Sequence, residues 1–263
     1  MKKDTIFNLC LLSTLTVIIL FLLLLVFSVA GYINWDQSAG IFFSKEILFA
    51  IKLSLITSTV SSLSAMVLAI PAALALSRLD FYGKNIVDSL IDLPIIISPV
   101  ALGAVLLVFL NNTSIGRFIE YNIFTFTFEA GGIVLAQFIV ILALAIRLLK
   151  STFDGIDTRY ENVIRTLGAN RIKSVLYVTL PMAKPGIFAA FVLTWARAIG
   201  EFGASVTLAG AVKMKTETLP IAIFLSLARA DVQRALIIIL ILFFIAVLVL
   251  FTVRLIGKRG IHY

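Results

Sequence analysis

Two charged residues stand inside one of the most apolar stretches of this chain. Arg197 and Glu201 are four residues apart, a spacing that puts them on one helical face and lets them neutralise each other. An unpaired charge at a membrane centre costs about 2.5–3.5 kcal/mol on insertion scales, so a pair is the form in which such residues can be buried. Two roles fit the pair. It is either a structural contact held against other helices, or a polar constriction at which Arg197 offers charge-assisted hydrogen bonds to a passing oxyanion. A self-neutralising pair attracts an anion weakly, which suits a conduit better than a tight store. Ser205 and Thr207 follow, with hydroxyls that either reach the same anion or bond back to their own helix.

Other chemistries lack their residues. The single Cys10 can form no internal disulfide, and the sole His262 stands next to the C-terminus, which leaves no Cys and His cluster for a soft metal and no His-dependent triad. No catalytic set is found. Gly83-Lys84 and Gly257-Lys258 are followed by Asn85 and Arg259, so no phosphate-cradling P-loop exists and the chain cannot use ATP alone. Glu201 is the only clear mid-membrane acid, so the acidic relays of self-powered transporters are missing as well, and energy must come through a partner.

The elements that position these residues follow from composition. Of 263 residues 61% are hydrophobic and 14% charged, against roughly 45–50% apolar and about 25% charged in an average soluble domain. The net charge of +8 is spread between apolar stretches and forms no nucleic-acid-binding surface. A bilayer core about 30 Å thick needs about 20 apolar residues per helix, and six runs qualify: roughly 9–33, 47–77, 91–110, 131–149, 186–210 and 235–256. The first imitates a cleavable signal peptide but is too long for one, and is read as a span. Pro71 is expected to kink the second span, and Pro94 and Pro99 to loosen the third. Gly200, Gly203 and Gly210 permit close backbone approach in the fifth, or serve only as packing contacts, and the third and fifth spans are the candidates for lining a pathway.

Six spans put both termini on one side. Of 22 basic residues only Lys45, Arg117, Lys213, Lys215, Arg229 and Arg234 fall in the loops of the opposite side, while Lys52 and Arg197 lie within spans and fourteen accompany the termini. By the positive-inside rule both termini are cytoplasmic. The expected fold is an all-α polytopic membrane protein, a single transmembrane domain over 1–263 surrounded by lipid.

Hydropathy collapses over about 151–185, on the cytoplasmic side. Asp154 or Asp157 can cap a helix there, with Val163, Ile164 and Leu167 at helical spacing, and Gly168 suits the left-handed residue that ends it. Asn170 can cap a second short helix through Tyr177, which should stop before Leu180-Pro181. The expected product is a helix-turn-helix between the fourth and fifth spans.

The run from Tyr160 to Ala169, followed by Val178-Thr179-Leu180-Pro181, resembles the cytoplasmic loop of ABC-importer permeases. That loop reads Glu-Ala-Ala, three residues, Gly, nine residues, Ile, one residue, Leu-Pro. The spacing is kept in full, although the triplet falls on Asn162, Val163 and Ile164, with the acidic residue one place earlier at Glu161. The resemblance implies coupling helices that dock on a separate ATPase subunit through Glu161, Leu167, Gly168 and Ala169, with Leu180 and Pro181 closing the motif. The alternative is an amphipathic loop helix lying on the inner leaflet.

A second likeness narrows the family. Trp195 through Gly210 resembles the fifth-helix stretch of molybdate/tungstate permeases, and Leu93-Pro94 through Gly103 resembles their third span. Sulfate permeases share looser versions, and the likeness covers nearly all of the chain after Lys45. It implies a homodimer of permease subunits, two ATP-binding-cassette subunits that hold ATP-Mg while this chain holds no cofactor, and an extracytoplasmic oxyanion-binding protein. Lys213 and Lys215 either help dock that protein or are merely solvated. The implied activity is alternating-access import of molybdate or tungstate, with sulfate or thiosulfate as the nearest alternative and an ion-coupled secondary transporter as the next. Arg197, Glu201, Pro94, Pro99, Gly203 and Ser205 are the candidate pathway or gate residues.

Overall fold

The structure, a computed structural model, describes residues 2–258, with side chains placed over 7–35, 40–249 and at 251. His262 and Arg259 lie outside it. Among the described residues there is helix and turn but no strand. The helices are α1 (Lys2–Gly31), α2 (Trp35–Phe42), α3 (Lys45–Arg78), α4 (Lys84–Ile96), α5 (Pro99–Asn112), α6 (Ser114–Asn122) and α7 (Ala130–Asp154). After α8 (Thr158–Thr166) and α9 (Arg171–Ser174), a π turn over Val175–Thr179 leads into α10 (Leu180–Ile199). The chain then forms α11 (Gly203–Ala209), α12 (Leu219–Ala228) and α13 (Val232–Lys258).

Five stretches are long and apolar enough to cross a membrane, and a bent pair makes up to six. The second, fourth and sixth expected spans correspond to α3, α7 and α13. Pro71 lies inside α3.

The third and fifth spans differ from expectation. Instead of one loosened helix over 91–110, α4 and α5 meet at 108°. Pro99 disfavours helix at the residue before it, and Ser98 is accordingly extended (φ −62°, ψ 143°) while its hydroxyl accepts from Ala101 N at 3.3 Å to cap α5. The fifth span starts earlier and stops sooner than 186–210, because the helix runs unbroken from Arg171 to Ile199 and gives way at Gly200. The remainder becomes α11, and α11 with 7 residues is roughly 10 Å long, too short to cross. It ends at Gly210 (φ 73°, ψ −175°), a conformation open essentially to glycine alone.

The second loop helix does not stop before Pro181. Pro181 stands at the first positions of α10, where its missing N–H breaks no hydrogen bond, and the wider π turn before it, closed by Leu180 N to Val175 O, carries the helix through.

The core is built on α3 and α7, which share the most extensive contact in the molecule. Near one end Ala69, Ala73 and Leu76 of α3 pack with Ala145, Leu149 and Phe153 of α7 and Ala183 and Ala190 of α10. A second cluster joins Leu102 and Leu110 of α5 to Ala136 and Val140 of α7 and Ala204 and Leu208 of α11. At the opposite end of α3, Ile47 and Ala50 meet Leu219 and Ala222 of α12 and Ile238 of α13. Alanine at so many contacts lets the backbones approach, so that van der Waals packing holds apolar helices together.

Candidate functional site

Two regions, at opposite ends of the 20-residue α10, hold the residues singled out by the sequence. The first is the break between α10 and α11. Arg197 Nη1 meets Glu201 Oε2 at 2.7 Å, with the arginine side chain 40% exposed and the glutamate 1%. Glu201 lies beyond the helix end, so the two do not share one continuous helix. Its other oxygen accepts from Ala204 N at 3.0 Å and starts α11. A buried carboxylate thus spends one oxygen on a guanidinium and one on a backbone amide, which satisfies both.

The break is braced from two sides. Gln137 of α7, fully buried, donates from Nε2 to Ala198 O at 3.0 Å, and Ser61 of α3 donates to Gln137 Oε1 at 3.0 Å. A Cβ at Gly103 of α5 would lie 2.7 Å from Ala204 O, and one at Gly203 would lie 3.1 Å from Pro99 Cβ and 3.0 Å from Val100 Cγ2. Helices α5 and α11 therefore touch backbone to backbone. Pro99 and Gly203 meet across this contact, and Pro94 lies one helix back, inside α4.

The hydroxyls behave differently from each other. Thr207 bonds back to Gly203 O at 2.7 Å. Ser205 is fully buried, and its Oγ has no partner among the described residues. Glu201, Gly203 and Ser205 are all interior, and of the pathway candidates on this stretch Arg197 alone keeps an open side.

The second region is the loop from Gly155 to Thr179. Asp157 caps α8 by accepting from Arg159 N at 2.8 Å. The helix ends at Leu167, and Gly168 follows at φ 93°. Asn170 then caps α9 by accepting from Lys173 N at 2.8 Å. Leu167 is 81% exposed at the tip, Gly168 is exposed beside it and Ala169 half-buried. Glu161, by contrast, faces inward. Its Oε1 accepts from Arg78 Nε at 2.8 Å and from Thr179 Oγ1 at 2.8 Å. Leu180 is half-buried and Pro181 exposed where α10 begins.

Several residues that matter here carried no local signal. Arg78 reads in the sequence only as a charge that ends the second span. Arg147 of α7 donates to both carboxyl oxygens of Asp92 at 2.5 and 2.6 Å and to the side chain of Asp88 at 2.7 Å, pinning α4 to α7. The spacing of Asp88 and Asp92, four apart before an apolar run, was the one available clue. Lys213 and Lys215 are both paired, with Glu46 and Glu129 respectively, and Glu46 also holds Arg234. Among the described residues, no group of three or more His, Cys, Asp or Glu could hold a metal ion.

The family of binding-protein-dependent transport system inner membrane components matches residues 65–261. A probable molybdenum ABC transporter permease protein of Haloferax volcanii is 36% identical over 216 residues, which cover 82% of this chain and 78% of that one. A molybdate/tungstate transport system permease protein of Thermococcus kodakarensis is 37% identical over 160 residues, 61% of this chain and 60% of its own length. A sulfate transport system permease protein of Salmonella typhimurium is 28% identical over 227 residues, 86% of this chain and 82% of that one. Among solved structures, a chain of a bacterial alginate ABC transporter in complex with its alginate-bound periplasmic protein superposes with a TM-score of 0.77 at 19% identity, covering 98% of this chain and 96% of that chain. This last likeness is one of fold.

Proposed function

From the premise that this chain belongs to the family of binding-protein-dependent transport system inner membrane components, we propose that it is the transmembrane subunit of an ATP-driven importer of molybdate or tungstate. The observation that carries this reading is the family match over residues 65–261, joined to relatives whose own names give molybdenum, molybdate or tungstate as cargo. The chain is a multi-pass membrane permease subunit and carries no ATPase site of its own. The sulfate permease relative has lower identity than the molybdenum permeases, which ranks sulfate behind them.

In this reading the chain is one transmembrane domain, two copies line a central pathway, and both termini are cytoplasmic. Each copy presents the Leu167-Gly168-Ala169 tip to an ATP-binding-cassette subunit that holds ATP-Mg, while a binding protein delivers the anion to the outer face. The 81% exposure of Leu167 supports the tip as the docking element. Closure and reopening of the ATPase pair then rock the helices between inward- and outward-open states. Arg197 faces the anion with its open side while Glu201 cancels most of its charge, so the ion is passed on and not stored. Glu161 holds the loop in place from within. Gly203, Pro99 and Pro94 shape the wall behind Arg197, and Ser205 belongs to that wall.

The test is uptake of molybdate, tungstate and sulfate into vesicles holding this chain with its ATPase and binding protein, beside vesicles holding the chain alone. Uptake of molybdate or tungstate only in the full assembly is the expected result. Gradient-driven uptake by the lone chain would overturn the reading in favour of a secondary transporter.

A further inference from the structure

Arg78 is the last residue of α3, and its side chain is only 9% exposed. Each nitrogen of its guanidinium has its own partner. Nε donates to Glu161 of α8 at 2.8 Å, Nη2 to Ile156 O just beyond α7 at 2.9 Å, and Nη1 to Ser77 Oγ at 3.1 Å. Ser77 passes the contact on, donating to Asp154 at the end of α7 at 2.5 Å. The carbonyl of Arg78 accepts from Arg171 of α9 at 3.1 Å, and Glu161 also takes the hydroxyl of Thr179, the last residue of the π turn, at 2.8 Å.

One residue therefore touches, directly or through one intermediary, the ends of α3 and α7, the helices α8 and α9, and the turn that leads into α10. The pair is largely buried on both sides, with Glu161 at 11%, so water screens it far less than it screens a surface pair. Charge-assisted, multidentate bonds of this kind are the strong and geometrically specific ones. A loop held only by its chain ends would flex when its tip is pushed. Bending this loop at its base would break the bonds of Arg78 on α3 to Glu161 and to the Ile156 carbonyl, while the adjacent Ser77 ties α3 to Asp154 of α7.

We propose that Arg78, through Glu161 and Thr179, is the positioning residue that makes the loop from Gly155 to Thr179 move as one body with α3, α7 and α10, and so sets how much transport each ATP yields. This deepens the importer reading and rests on it. The residue touches neither anion nor nucleotide. It acts by carrying displacement of the Leu167 tip into the spans.

The experiment uses the full assembly in lipid vesicles and reads molybdate taken up per ATP hydrolysed, with assembly checked by co-purification of the ATPase subunits. Arg78→Lys keeps the charge but replaces the planar fork with one compact ammonium, so the separately directed bonds from Nε, Nη1 and Nη2 are not all reproduced. Its complex assembles and hydrolyses ATP within about twofold of the wild type, while uptake per ATP falls roughly three- to tenfold, inside the range of about 2- to 30-fold over which coupling networks are modulated. Thr179→Val loses about two- to threefold by the same measure, and Thr179→Ser, which keeps the hydroxyl, matches the wild type. Should Arg78→Lys not assemble, the Thr179 pair decides by the same criteria. Wild-type uptake per ATP in an assembled Arg78→Lys or Thr179→Val complex overturns the link, as does a fall of uptake and hydrolysis in equal proportion. A wild-type assembly that takes up none of the three anions overturns the importer reading itself, and the link with it.

Discussion

Around Arg78 the helices are joined by what side chains carry, whereas between α5 and α11 they are joined by what side chains lack. At the first junction a buried guanidinium gathers a carboxylate of α8, a carbonyl from beyond α7 and the hydroxyl of its own neighbour Ser77. At the second, Gly103 and Gly203 remove the side chains that would hold the backbones apart, and one ion pair stands at the edge of the contact. The two kinds of joint have different mechanics. Hydrogen bonds to a fork fix direction and give way abruptly when the fork is lost, while close packing fixes distance and responds to volume. In the proposed importer, the first kind of joint suits the transmission of motion and the second a tight wall.

Glu201→Ala is the most severe way to break this contrast, because it strips the packed junction of its only charge pair and its helix cap together. The loss of stability in a detergent unfolding titration should be about 3 kcal/mol, at the low end for breaking a buried pair because Arg197 is half-exposed. A loss below about 1 kcal/mol would show that packing alone holds the α10–α11 break. Gly103→Ala comes next. Its Cβ would sit 2.7 Å from the backbone oxygen of Ala204, an atom that cannot swing aside, and the same titration should register about 2 kcal/mol. A neutral result would mean that α5 and α11 can separate freely, and the packed half of the comparison would fall.

Gly168→Ala tests the loop away from both junctions. With φ at 93° an alanine is strained by about 1 kcal/mol, and the cost should show as reduced affinity for the ATPase subunit more than as loss of the fold. Lys215→Met is the mildest. Its pair with Glu129 is exposed on both sides, so removal should change stability by less than about 0.5 kcal/mol, with whatever effect there is fading in high salt. The Arg78–Glu161 pair, being largely buried, should respond less to the same salt. Equal salt responses at the two pairs would erase the distinction between a buried joint and a surface contact.

Part of this was legible in the chain before any fold was known. Continuous apolar runs located α3, α7 and α13, since hydropathy integrates over twenty residues and long helices meet that window. The spacing of four pointed to the meeting of Arg197 with Glu201, although the helix it presumes ends at Ile199, and Gly168 followed from the need for a residue without Cβ. The breaks were not legible in full. Pro94 and Pro99 signal disturbance, but a 108° turn is set by Ser98 adopting an extended conformation and by α5 finding α11, and composition records neither. The short apolar α12 escaped because ten residues fall below the length by which spans are recognised. The Arg78–Glu161 bond joins residues 83 apart in sequence, and no local pattern reports a partner at that distance. Glu161 was therefore marked for an outward role that its inward-facing carboxylate does not serve by itself.

The π turn over Val175–Thr179 takes up one residue and leaves the rotational phase of the helix nearly unchanged. A turn closed from Leu180 N to Val175 O contains one residue more than an α-helical turn. Deleting a single residue there would only restore an ordinary turn and leave the segments on both sides nearly in phase, whereas deleting one from the regular turns of α10 would turn everything before it by about 100° about the helix axis and draw it in by about 1.5 Å. In that second case all side chains of the latch would still be present, and Glu161 would face away from Arg78. Where the loop points is thus encoded in a residue count, and a one-codon deletion in α10 whose neighbours are chemically unremarkable would disconnect it as thoroughly as losing the arginine.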